Sequence, residues 1–137
     1  MIEMIQNDRH SIYLNFDKEG IEYFYCCLLA ARDVGRSRVV LRFDMAIVLG
    51  GDQSCETLGL EIFIVEEDLI CNRIKSCNES IVWEFDRGDL DCAISPTEDA
   101  VKDGEFLLPE FLAVDVPDPK KKEGWGSRQV YAFMTMT

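Results

Sequence analysis

The stretch FDRGDLD, residues 85–91, sets three aspartates around an Arg-Gly pair. Carboxylates so placed suit a divalent-cation loop, an acid-base pair with separated pKa values, or a surface for a cationic partner. The cation loop fails on spacing. An EF-hand needs glycine at its sixth position, and counting from Asp89 places Ile94 there, while counting from Asp86 places Asp91. The embedded Arg87-Gly88-Asp89 is read as a chance tripeptide, since adhesion requires an extracellular chain.

Other catalytic chemistry finds little to use. Activating a Cys or Ser nucleophile usually takes a histidine base, and the single histidine, His10, sits in a polar N-terminal arm. There is no G-x-S-x-G, no H-E-x-x-H, and the Gly50-Gly51 pair lacks the Lys-Ser/Thr of a phosphate loop. Cys26, Cys27, Cys55, Cys71, Cys77 and Cys92 form no C-x-x-C pair, which argues against zinc. The N-terminus also lacks the basic-then-apolar order of an export signal, so the thiols are expected to be reduced and the chain cytoplasmic. Among 26 acids a carboxylate pair arises easily and carries little information. The expectation is a non-enzyme without cofactor or metal.

Charge is more informative. The formal net charge is −12, which disfavours nucleic acid and anionic membrane as partners and favours a basic protein. Between Glu84 and Asp118 there are 11 acids against two bases, Arg87 and Lys102, so much of the excess lies in a quarter of the chain. The candidate partner-binding residues are Asp86, Asp89, Asp91, Glu98, Asp99, Asp103 and Glu105. Trp125, between Gly124 and Gly126, is a candidate aromatic anchor or a cap on the core.

The elements that position these residues follow from periodicity. Ile12, Leu14 and Phe16 alternate against Ser11, Tyr13 and Asn15 as in a half-buried strand. Asp17 then suits an N-cap for a helix over 18–34, with Ile21, Phe24, Tyr25, Leu28 and Ala31 on its buried face and Gly35 ending it. Alternation predicts strands over 37–47 and 58–64, separated by the Gly50-Gly51 loop with Asp52 to Cys55. Residues 69–80 read as a connector and 81–85 as a strand. Asp86 to Asp89 would then be a hairpin turn, 90–94 its partner strand, and Ser95-Pro96-Thr97 a turn into a short acidic helical turn. Residues 106–116 read as β on both sides of Pro109, and Lys120–Lys122 as a basic patch in a loop before a last strand at 128–137. No convincing internal repeat is apparent. The expected fold is a single α+β domain over 1–137: a bent, largely antiparallel sheet with one major helix packed on it.

IYLNFDKEGIEYFYCCLLAAR, followed by RVVLRF, the glycine pair and LGLEIFIV, resembles small bacterial immunity proteins of polymorphic-toxin and contact-dependent inhibition systems. There a strand ending in Phe-Asp-x-x-Gly opens a helix, and a second strand leads to a Gly-Gly loop. The likeness covers about residues 11–65. The sequence departs in having Leu49 where an aromatic precedes the glycine pair, and in its acidic extension after residue 69. The resemblance implies an inhibitor of a cognate toxin. The acidic face suits a basic, nuclease-like toxin. The alternatives are an acidic adaptor or structural subunit that binds another basic protein or its own copy through a sheet edge, and a small hydrolase.

Overall fold

The computed structural model of the chain describes residues 2–5, 11–43, 56–66, 71–77, 80–118 and 124–135. In order these form β1 (Ile2–Ile5), β2 (Ser11–Phe16), α1 (Lys18–Val34), β3 (Arg36–Phe43), β4 (Glu56–Ile64), β5 (Asn72–Cys77), β6 (Ser80–Phe85), α2 (Arg87–Asp103), β7 (Glu110–Pro117) and β8 (Trp125–Met134). His10, the stretch 44–55 with the expected glycine loop, and Lys120–Lys122 lie outside the described residues.

Helix α1 starts and stops where residue chemistry requires. The Asp17 carboxylate accepts from the Gly20 N–H at 2.7 Å, which satisfies one of the free donors of the first turn. Gly35, at φ 95°, adopts the left-handed turn that an L side chain disfavours, and its N–H donates to the Ala31 carbonyl. Ile21, Phe24, Leu28 and Ala31 are buried as expected, whereas Tyr25 is only partly so.

The same devices build a second helix that the sequence reading missed. The Asp86 carboxylate accepts from the Asp89 N–H at 2.8 Å, and Gly104 closes the helix at φ 76°. FDRGDLD is therefore a strand end, an N-cap and a first turn, and no hairpin strand runs over 90–94. Leu90, Ala93, Ile94, Thr97 and Ala100 form the buried stripe. Pro96 hides this pattern from a sequence reading, because it cannot donate to the Cys92 carbonyl and normally breaks a helix interior. Beside it the buried Thr97 hydroxyl donates to the Ala93 carbonyl at 2.7 Å, so the side chain of that turn has its own partner.

The chain is an internal repeat. Ser11, Asp17 and Gly35 correspond to Ser80, Asp86 and Gly104, a shift of 69 residues, and both helices have 17 residues. Each ββαββ half contains two antiparallel hairpins: β1 with β2 and β3 with β4, then β5 with β6 and β7 with β8. Parallel pairing joins β1 to β3 and β5 to β7 within the halves, and β2 to β8 and β4 to β6 between them. The registers also repeat. Leu60 lies opposite Ile81 in one seam and Val130 opposite Ile12 in the other, and Ile12 and Ile81 are equivalent positions. The repeat is carried by pairing and capping, with residue identity kept at Ser11/Ser80, Ile12/Ile81, Phe16/Phe85, Asp17/Asp86, Ala31/Ala100 and Gly35/Gly104.

The strand order β1-β2-β8-β7-β5-β6-β4-β3 closes into a barrel. The α+β class therefore holds, but with two equal helices, and half of the pairings are parallel rather than largely antiparallel. Residues 72–77, expected as a connector, form β5 because their buried positions alternate through the polar Asn72 and the apolar Ile74. Every described strand has a neighbour on each side, so binding through an unpaired edge strand has no obvious template. No described helix is long and apolar enough to cross a membrane.

The helices pack against each other, and α1 also packs on β3 and β4. Phe24 of α1 links the halves, its ring 5.1 Å from that of Phe16 on β2 and 6.4 Å from that of Trp83 on β6. Asn72 is a buried polar side chain of the sheet. It accepts from Trp83 Nε1 at 2.6 Å and donates Nδ2 to the Ala113 carbonyl at 2.9 Å, tying β5 to β6 and β7. A buried indole N–H without such a partner would cost about 1–3 kcal/mol.

Loss of either helix cap tests the revised assignment. Asp17→Ala and Asp86→Ala are each expected to lower stability by about 1 kcal/mol in urea denaturation, with a matching loss of helical signal on destabilisation. A neutral Asp86→Ala beside a costly Asp17→Ala would contradict the second cap.

Candidate protein-binding surface

Burial of Leu90, Ala93, Ile94, Thr97 and Ala100 turns Asp91, Ser95, Glu98, Asp99, Lys102 and Asp103 toward the other side of α2. Asp91 and Asp103 are exposed, and Glu98 and Asp99 are half-buried. Glu98 meets Lys102 at 3.3 Å across one turn, an exposed pair worth roughly 0.3–0.5 kcal/mol. Asp91, Asp99 and Asp103 make no ion pair with any described residue, so their charge is available to a partner. Glu105 is exposed just beyond the helix.

Asp86, Asp89 and Trp125 have other surroundings. Asp86 is the helix cap. Asp89 lies in the first turn, half-buried, with Oδ2 shielded from solvent and without a hydrogen-bond partner among the described residues. Desolvation, and then the neighbouring Asp86 carboxylate, hold its pKa above the ordinary aspartate range. Cys71 feels the same acidity: desolvation first, then Asp115 and Asp89, push its thiol up to about 11, and its Sγ donates to the Ala113 carbonyl at 3.0 Å. A thiol so disfavoured as thiolate is a poor nucleophile. Trp125 opens β8, half-buried, with the Arg73 guanidinium 5.5 Å from its ring centre. Arg73 also lies 3.5 Å from Glu84, which Lys75 approaches to 3.1 Å. Glu84 is thus neutralised within the sheet, and Trp125 belongs to this stack.

The sequence reading did not find the groove beside the end of α2. It has a volume of about 800 Å³, with Ile21, Val101, Phe106, Pro109, Phe133 and Met134 among its apolar walls. Lys18, Glu22, Lys102, Asp103 and Glu105 also line it. Residues 106–109 lie outside β7, contrary to the expected strand over 106–116. Phe106 turns inward against Phe16 and Phe111 at 6.0 and 5.9 Å, whereas Leu107 and Leu108 are 71% and 74% exposed. Across the β2–β8 seam, Tyr13 stacks at 5.6 Å on Tyr131 and at 6.1 Å on Phe133, an aromatic row that ends at the groove. The available signal was the apolar run Phe106-Leu107-Leu108-Pro109 bracketed by Glu105 and Glu110. No cluster of three His, Cys, Asp or Glu side chains suited to a metal ion occurs among the described residues.

The setting of Asp89 fixes the sign of a pH effect. With the folded pKa above the unfolded one, the folded state holds the extra proton, so this group favours folding at low pH and the benefit fades as pH rises through the folded value. Asp89→Asn should therefore gain stability relative to the parent at neutral pH and lose that advantage below about pH 4, within the usual aspartate range. Urea midpoints at both pH values test this; an Asn variant less stable at neutral pH would show that the carboxylate is favoured where it stands. Comparisons with protein-family models, curated proteins and solved structures give no match.

Proposed function

We propose that the chain is an immunity-type inhibitor that acts in the cytoplasm, binding and neutralising a cognate basic toxin without a reaction of its own. The observation that carries this reading is the outer face of α2, where Asp91, Asp99 and Asp103 make no ion pair with a described residue and Asp103, at the helix end, lines an apolar groove. Carboxylates at such a surface raise the encounter rate with a cationic protein, and a desolvated apolar contact then slows its departure. A nuclease toxin fits because it must present Lys and Arg to phosphate, and fixed carboxylates can occupy those groups in place of the nucleic-acid backbone. The likeness of residues 11–65 to immunity proteins supports the same class.

The second reading is an acidic adaptor or structural subunit for another basic protein. The closed strand order favours the helix face over a sheet edge as its contact.

Co-expression separates the two readings. The chain should rescue cells from the toxin domain encoded beside its gene, and purified chain should bind that domain with an association rate that falls steeply as salt is added. Replacing Asp91, Asp99 and Asp103 together by Lys is expected to slow association at least about tenfold without unfolding the helix. Absence of rescue against the neighbouring toxin would remove the immunity reading, and unchanged kinetics in the triple variant would move the contact away from α2.

A further inference from the structure

The two halves differ at the crossover from helix to sheet. Val39 follows the Gly35 cap by four residues and lies opposite Leu60; Leu112 follows the Gly104 cap by eight and lies opposite Val130, the position equivalent to Leu60. One of the added residues is Phe111, bulged between Glu110 and Leu112 and buried. The rest of the added length lies in 105–110, where Phe106 and Pro109 wall the groove and Leu107 and Leu108 face outward. A longer crossover does not by itself require two exposed leucines. Here they stand beside an apolar groove that includes the 39% exposed Phe133.

Charge restricts what can cover them. Glu105 and Glu110 flank the leucines in sequence, and Asp103 stands at the helix end. Of the cations lining the groove, Lys102 is engaged by Glu98 at 3.3 Å, leaving Lys18 at the start of α1. A second copy of a chain with net charge −12 would bring like charge to this rim. We infer that the groove at the end of α2 docks a short basic segment of a protein partner, an apolar side chain flanked by Lys or Arg. The apolar side chain lies between Phe106, Pro109 and Phe133 with Leu107 and Leu108 against it, while the flanking cations meet Asp103, Glu105 and Glu110. This inference rests on the proposal of a basic partner, but not on that partner being a toxin.

The test uses the full chain and three fluorescein-labelled peptides with the cores Lys-Arg-Leu-Leu-Lys-Arg, Lys-Arg-Ser-Ser-Lys-Arg and Glu-Glu-Leu-Leu-Glu-Glu, read by fluorescence anisotropy. The basic leucine peptide should bind at least about tenfold more tightly than the basic serine peptide, and the acidic one should not bind, because both anchor and charge are needed. The double variant Leu107→Ser, Leu108→Ser should weaken the leucine peptide at least about tenfold while its thermal midpoint matches the parent's, both residues being exposed. Equal binding of the leucine and serine peptides, no binding of either, or unchanged binding by the double variant would overturn the inference. A concentration-dependent dimer in sedimentation that the double variant abolishes would overturn it in favour of a second copy. Peptide failure with successful toxin rescue removes the groove but leaves the inhibitor reading; the opposite pattern removes the toxin and leaves the groove.

Discussion

Two parallel seams, β2 against β8 and β4 against β6, close the barrel by joining its halves. Their register places Ile12 opposite Val130 and Ile81 opposite Leu60, all four buried. A slip of one residue would turn each alternating strand inside out, so the apolar pattern specifies the seam strongly. With the seams set, Phe16-Asp17 and Phe85-Asp86 end equivalent strands and start equivalent helices. Phe24 can then meet Phe16 of its own half and Trp83 of the other.

On this repeated frame the halves differ in the interior and on the outer surface separately. Asn72 stands where the first half has Ile2, and its bonds to Trp83 and Ala113 convert an apolar position into a polar tie across three strands. That change is internal. The outer surface of α1 mixes Lys18, Glu19, Glu22, Arg32 and Asp33, and Arg32 pairs with Asp33 at 3.4 Å. The outer surface of α2 is dominated by acids, and its crossover to the sheet has the extra apolar length. The difference in charge and the difference in chain length thus adjoin at one end of one helix. A surface that attracts cations and also offers an apolar contact can combine fast encounter with slow release, which neither feature supplies alone.

Legibility differed between the halves for physical reasons. In the first, Ile12, Leu14 and Phe16 alternate cleanly, Asp17 caps, and Gly35 stops the helix, so strand and helix could be placed from local chemistry. In the second, Asn72 interrupts the apolar alternation of β5 although it is buried, and Pro96 with several acids disguises a helix whose large apolar residues are few. The seams were not legible because parallel partners such as Ile12 and Val130 are remote in sequence. Charge density singles out Asp91, Glu98, Asp99, Asp103 and Glu105 as candidates. Density could not tell them from Asp86, which caps a helix, or Asp89, which is half-buried in its first turn, and it said nothing of the groove, which needs α1, α2 and β8 together.

On the proposed reading, a basic protein is held by the outer face of α2 and the segment that follows it. Hydrogen–deuterium exchange of the chain, alone and saturated with the proposed basic partner, decides this. Slowed exchange is expected to concentrate over residues 91–110 and the end of β8, with little change along β1 and the α1 C-terminal turn. Protection confined to α1 and the β3–β4 hairpin, with α2 unchanged, would contradict it.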